Sequence, residues 1–407
     1  MIPKIQRLLF IVLFLHASLS FSASNTNKSL TKFNQSARAL LPASSKLSNS
    51  NGFAAEIQGF DEDYLVSLAI GTPPIPIMLI PSTMSSLIWA QSQPCNHCFN
   101  QTKSLPIYDP KRSSSFSKLP CRNTLCQALP SFQCTPDCKY KYEYVSANTQ
   151  GFMGIETLTI GGTKIDGITF GRGNSNTFFV PHGSGVLGLN REPLSLVTQL
   201  GVKRFSYCLP SSKGSKGRIL FGSQAILKDS SKDRALSTKL VHNPSDPYGY
   251  YVSLKGITVG ETRLPIPDNT FEIKKDGTSG ASSIAVGSFF PTLEKTAFRL
   301  LKEEFRSQLK LNIVVSSDGF DACYSLPLGQ SVNVPKLVYN FDGADLELPV
   351  GNYMHNYVDK QILCLYILES KYGKSSFGSL HQQDMQMLFN LEEEVLSIVP
   401  NSQCEDI

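Results

Sequence analysis

Between residues 53 and 404 the apolar and polar positions of this chain fall into short runs, not long helical stripes. YLVSLAIG (64–71) reads as a strand that stops at the turn signal GTPP. Further strands are expected at KYEYV (141–145), IETLTIGG (155–162), GRILFG (217–222), YYVSLKGITVG (250–260), CLYIL (364–368) and MLFNLEEEVLSIV (387–399). They are rich in β-branched and aromatic residues and bounded by Gly, Pro, Asn or Asp. Helical spacing is confined to two places. LSLVTQL (194–200) follows a proline. TLEKTAFRLLKEEFRSQL (292–309) repeats its apolar positions close to every third or fourth residue, with Thr292 as the expected N-cap. GSKG (214–217) reads as a turn near a boundary between halves. The pattern predicts an all-β protein with a few short helices.

The two halves echo each other. Each carries strands, then an unusual small-residue segment (82–85 and 285–288), then an X-Gly turn, VLGLN in the first half and SFGSL in the second. A chain of 407 residues is long for one core and suits two lobes. The division expected is 53–205 for the N-terminal lobe and 206–407 for the C-terminal lobe.

Residues 1–22 have the layout of a secretory signal. Lys4 and Arg7 precede the apolar run LLFIVLFL (8–15), and Ser20 and Ser22 suit a cleavage site. The run is too short to span a bilayer. Residues 23–52, rich in Ser, Asn, Lys and Ala, are expected to be a propeptide or disordered arm. The mature chain is therefore expected to be exported, without a membrane span. Its formal charge of +5 drops to about +3 when Lys4 and Arg7 are removed, and no basic cluster interleaves with aromatics. That balance argues against a nucleic-acid partner.

Ten cysteines fit an oxidising compartment: Cys95, Cys98, Cys121, Cys126, Cys134, Cys138, Cys208, Cys323, Cys364 and Cys404. The CxxC at Cys95 has zinc-ligand spacing. In an exported chain with an even count, disulfides are the stronger reading, and spacing leaves their pairing open. No metal and no cofactor are expected. Asn27, Asn34 and Asn100 lie in glycosylation sequons. Asn100, in the cysteine-rich loop, is the best candidate, since the other two would leave with a propeptide.

The motifs YLVSLAIGTPPIPI, LIW, QPCNHCFNQ, YDPKRSSSFSKLPCRNTLC, VLGLNREPLSLVTQL, RFSYCL and FDGADLELPVGNY occur in an order that resembles the pepsin-like aspartic proteases. More narrowly they are similar to the plant nepenthesin-like group, close to its constitutive-disease-resistance type. The resemblance implies a bilobal all-β fold with a central cleft. It also implies two aspartates, one per lobe, that share a proton and activate a water. The family's first half-site reads DTGSDLIW. This chain reads STMSSLIW, so Ser82 takes the aspartate position, Thr83 keeps the threonine and Met84 replaces a glycine. The second half-site normally reads IIDSGTTLTYL. Here it is SIAVGSFFPTL, with Ala285 at the aspartate position followed by Val286, Gly287 and Ser288.

Both carboxylates are absent on this alignment, and the resemblance then implies a catalytically inactive relative. Met84 is expected to crowd a turn built for glycine. Tyr144 matches the flap tyrosine, but the Gly-Asp-Gly-Ser after it has become Val145, Ser146, Ala147 and Asn148. Ser92 and Arg172 stand where relatives have cysteines, which implies that those two positions are partners there. Ser82 as a replacement nucleophile would need a base and an orienting group. None of His16, His97, His182, His242, His355 and His381 falls at a recognisable cleft position, and there is no GxSxG elbow. Asp61, Glu62 and Asp63 read as a strand lead-in, Asp342 and Asp345 as a structural loop, and Trp89 as core. The expectation is a secreted monomer that retains a peptide or protein ligand in its cleft. The alternatives are an active aspartic endopeptidase and an inhibitor of glycan hydrolases.

Overall fold

The computed structural model describes residues 52–407 except 103, 145–146, 178–181, 315–318 and 328–331. The expected signal and propeptide, the sequons at Asn27 and Asn34, and His16 lie outside the described residues, apart from Gly52.

The first described strand begins where the alternation begins. Strand Phe53–Phe60 buries Phe53, Ala55 and Ile57 on one face. It pairs antiparallel with Asp63–Ile70 on one side and Lys216–Phe221 on the other. Asp61 and Glu62 make the turn between the first two strands, with Asp61 in the left-handed region at φ 45°, and Asp63 opens the second strand opposite Phe60. Lys216–Phe221 continues through Arg204–Cys208 and Gln386–Asn390 to Val395–Val399 and Leu236–Val241. This central run joins the two halves. Its core is aromatic: the Phe205 and Phe389 rings stack at 4.6 Å, with Tyr250 against both.

Two four-stranded sheets complete the second half. One orders Thr262–Arg263, Leu254–Val259, Leu337–Phe341 and Ala344–Leu348; the other orders Ile313–Val314, Cys323–Ser325, Ile362–Leu365 and Met354–Tyr357. The FDGAD segment is the hairpin of the first, where Asn340 donates to Asp345 at 2.9 Å.

Several expected strands prove to be pairs. YYVSLKGITVG divides into Tyr251–Val252 and Leu254–Val259, CLYIL contributes to Ile362–Leu365 and Leu368–Glu369, and MLFNLEEEVLSIV is a hairpin. The helices also shift. Leu196–Leu200 starts after Ser195, whose hydroxyl caps Thr198 N, and stops at Gly201 with φ 63°. The long helix is Lys295–Leu309, and its cap is Glu294, not Thr292. The Glu294 carboxylate accepts from Thr296 N and Ala297 N, while Thr292 remains in strand Thr292–Leu293 and bonds Ser376 at 3.0 Å. Tertiary pairing of Thr292 overrides its local capping tendency.

All ten cysteines are paired: Cys95–Cys98, Cys121–Cys134, Cys126–Cys138, Cys208–Cys404 and Cys323–Cys364. Cys208–Cys404 ties the central run to the end of the chain across 196 residues. Among the described residues no helix is long and apolar enough to cross a membrane.

Candidate functional site: two strand ends that meet

The site grows from two strands of like construction. Ile75–Ser82 runs parallel to Gly185–Gly188 and ends with Ser82 opposite Gly188. Ser282–Ala285 runs parallel to Ser375–Gly378 and ends with Ala285 opposite Gly378. Each then turns tightly: Ser85 N reaches Ser82 O at 3.5 Å, and Ser288 N reaches Ala285 O at 3.3 Å. The glycines are steric requirements. A Cβ on Gly188 would sit 2.2 Å from Ser86 O, and one on Gly378 would sit 2.7 Å from Phe289 O. The X-Gly turns expected from VLGLN and SFGSL are thus the floors against which the two small-residue segments pack.

The two strand ends touch. Thr83 Oγ1 donates to Ile284 O at 2.7 Å and accepts from Val286 N at 3.1 Å. The corresponding position in the second turn is Val286, which has no hydroxyl to return the contact. The latch is one-sided. Ser82 lies against Gly287, where a Cβ would come within 3.0 Å of the serine hydroxyl oxygen. Ser82 and Gly287 are half-buried, while Thr83, Ala285, Val286 and Ser288 are buried. Ser288 donates its hydroxyl to Phe290 O at 3.4 Å and its carbonyl accepts from Ser379 N. Met84 is half-buried, and neither it nor Gly287 is among the described residues with positive φ. The first turn therefore takes the methionine without a left-handed backbone.

Tyr144 closes over the first turn. Its hydroxyl accepts from Trp89 Nε1 at 2.9 Å and lies 3.5 Å from Ser85 Oγ. Its backbone N–H donates to Ala147 O at 2.8 Å; Val145 and Ser146 between them lie outside the described residues. Burial, with the Tyr142 phenol beside it, pushes the Tyr144 phenol well up, so it stays protonated. Trp89 is wholly buried, as its core role requires, and its indole N–H also fixes the tyrosine. The Trp89 indole as a hydrogen-bond donor and the backbone of Ile284 and Val286 were not legible as site groups from sequence. Half-buried Glu192, just past the first X-Gly turn, was also missed; burial and the nearby charge of Asp246 push its carboxyl up.

The described histidines sit elsewhere. His97 lies 3.5 Å from Ser175 Oγ, His182 stacks on Phe60, His355 stacks on Tyr366, and His381 is enclosed by Tyr339 and Phe377. His242 is exposed beyond strand Leu236–Val241. A serine hydroxyl with no base beside it does not ionise near neutral or acid pH. A methyl group at Ala285 offers neither a proton nor a lone pair. Asn100 is exposed on the loop stapled by Cys95–Cys98, and Gln91 holds the preceding Phe99 N at 2.9 Å. Ser92 and Arg172 lie on neighbouring parallel segments: Ala90 pairs with Arg172, and Ser92 N donates to Gly173 O. The Arg172 guanidinium covers the Phe116 ring at 4.9 Å.

Similarity to known proteins follows this architecture. The family described as xylanase inhibitor, N-terminal, matches residues 64–223, and xylanase inhibitor, C-terminal, matches 249–400. Aspartic proteinase nepenthesin-1 of Nepenthes gracilis is 39% identical over 393 residues, spanning 93% of this chain and 88% of the relative. Nepenthesin-2 of the same plant is 37% identical over the same shares. Among solved structures, basic 7S globulin from soybean superposes with a TM-score of 0.69 at 16% identity, covering 87% of this chain and 97% of that one. Conglutin gamma from lupine seeds gives 0.68 at 18%, covering 86% and 95%. At such identities the two globulins share the fold alone. Two-lobed β architecture and sequence together lead to one assignment: the chain belongs to the pepsin-like aspartic protease family, among its nepenthesin-like members.

Proposed function

We propose that the mature protein is a secreted, catalytically silent relative of the aspartic endopeptidases that holds a peptide or protein segment in the cleft between lobes 53–205 and 206–407. Residues 1–22 and 23–52 would be removed, and Asn100 would carry a glycan. The observation that carries the reading is Ala285: a buried methyl at the end of the second strand, where the family chemistry needs a carboxylate. Ser82, against Gly287, has no hydrogen-bonded base among the described residues. Of the polar groups that remain, half-buried Ser82 and Tyr144 can hydrogen-bond a bound backbone, while Thr83, Ser85 and Ser288 are buried, and none of them can share a proton between carboxylates. Incubating the purified mature chain with an acid-denatured protein between pH 3 and 5 tests the reading. No fragments above the buffer control are expected. Pepstatin-sensitive fragments that track the polypeptide through purification would overturn it.

A second reading draws on the xylanase-inhibitor family match. In that reading the chain binds a glycan hydrolase, not a peptide. Capture of a xylanase, with loss of its activity, would favour it over a peptide-binding cleft.

A further inference from the structure

The segment after Gly378 holds the second strand end to the rest of the molecule. Gln382 accepts from the Tyr207 hydroxyl at 2.6 Å and donates to Phe377 O at 2.6 Å. Gln383 donates to the Tyr64 hydroxyl at 2.7 Å, which reaches into the first half. Asn352 donates to His381 O at 3.3 Å and to Gln383 O at 2.9 Å. At the centre of this stitching sits His381, 0% exposed. Its ring lies 5.0 Å from both the Tyr339 and Phe377 rings. Among the described residues neither ring nitrogen has a hydrogen-bond partner, and neither does the Tyr339 hydroxyl. Buried polar atoms of this kind cost free energy even when neutral. A charged imidazole in the same place would have no counter-charge and no acceptor to stabilise it.

We propose that His381 is an acid-sensitive latch, neutral when the segment 379–384 is docked and released from its aromatic cage when protonated. Strand Leu337–Phe341 presents the Tyr339 phenol, which burial keeps protonated. Strand Ser375–Gly378 presents Phe377. The 350–352 turn contributes Asn352, an amide. Within the segment, Gln382 and Gln383 are amides, and the Asp384 carboxylate is engaged by Ser211 N at 3.0 Å. The Tyr64 phenol at Gln383 is kept protonated by burial. Burial alone pushes the His381 imidazole down to about 3 from its ordinary 6.5; no charged group contributes.

The sign follows from linkage. Above about pH 7 neither folded nor unfolded chain binds this proton. Between about 6.5 and 3 only the unfolded chain does, so stability falls as pH falls through that window. At pH 5 the single group shifts the folding equilibrium about thirtyfold toward unfolded relative to pH 7.5.

The test is denaturant unfolding of the mature, disulfide-intact chain at pH 7.5 and 5.0, for wild type and His381→Phe, whose ring fits the cage and cannot titrate. The wild type is expected to lose about thirtyfold more in its folding equilibrium than the variant across that interval. The other histidines and the carboxylates are common to both chains and cancel. Equal pH dependence in the two proteins would overturn the proposal. If His381→Phe does not fold, nitrogen-15 histidine spectra of folded wild type decide alone: His381 is expected to stay neutral at pH 5. A reversible His381 titration near pH 6 in the folded protein would overturn the proposal.

Discussion

At the scale of single residues, the site is defined as much by what Thr83 does as by what Ser82 and Ala285 lack. One hydroxyl satisfies the carbonyl of Ile284 and the amide of Val286. Thr83→Val keeps the shape and leaves both buried groups unpaired. At about 1–3 kcal/mol for each of the two orphaned groups, the substitution is expected to cost roughly 2–6 kcal/mol, read as a lower denaturant midpoint at unchanged slope. A change under about 0.5 kcal/mol would mean that water or a neighbour replaces the latch. The identities at 82–85 and 285–288 were legible by alignment to the half-sites. The latch itself was not, because its partners are backbone atoms 201 and 203 residues away and have no sequence signature. Met84 marks the other limit: a glycine-to-methionine change reads as steric conflict in sequence, and the structure adds only that the residue is half-buried without positive φ.

At the scale of elements, the two strand–turn–glycine units carry the geometry. Gly188→Ala pushes a Cβ to 2.2 Å from a carbonyl oxygen, and Gly378→Ala to 2.7 Å, so both should destabilise and the first should cost more. Overpacking of this kind costs about 1–3 kcal/mol, and thermal or chemical denaturation of the two variants gives the order. Gly378→Ala proving the worse would contradict the packing described. The neighbouring strands at Ser92 and Arg172 offer a second check. Ser92→Cys with Arg172→Cys is expected to close a sixth bridge, so thiol labelling of the denatured, non-reduced variant should find no free cysteine; two labelled thiols would show that the positions do not face each other. Alternation and turn residues made most strands visible in the sequence. The misplacements came where tertiary pairing outweighed local preference. Thr292 is drawn into a strand by Ser376, so Glu294 becomes the cap, and YYVSLKGITVG is broken into two strands that pair in different sheets.

At the scale of the whole molecule, the central claim is that the scaffold of the family is kept while its proton-sharing pair is gone. The cleft depends on two halves joined through the central strands, the Thr83 latch and the segment around His381. Rebuilding the carboxylates with Ser82→Asp and Ala285→Asp places two acids in a site that no longer supports them: Val286 has no hydroxyl, and Gly-Asp-Gly-Ser is missing after Tyr144. Catalytic groups must be held to within about 0.5 Å by their surroundings, and an error of about 1 Å costs roughly a hundredfold. Adding Met84→Gly and Val286→Ser should therefore raise activity beyond the double substitution. The measurement that bears most directly on the claim is acid-pH turnover of a denatured protein by wild type, the double variant and the quadruple variant, each with and without pepstatin. The account predicts no turnover by wild type, little by the double variant and more by the quadruple variant. Pepstatin-sensitive turnover by the wild-type chain would contradict it.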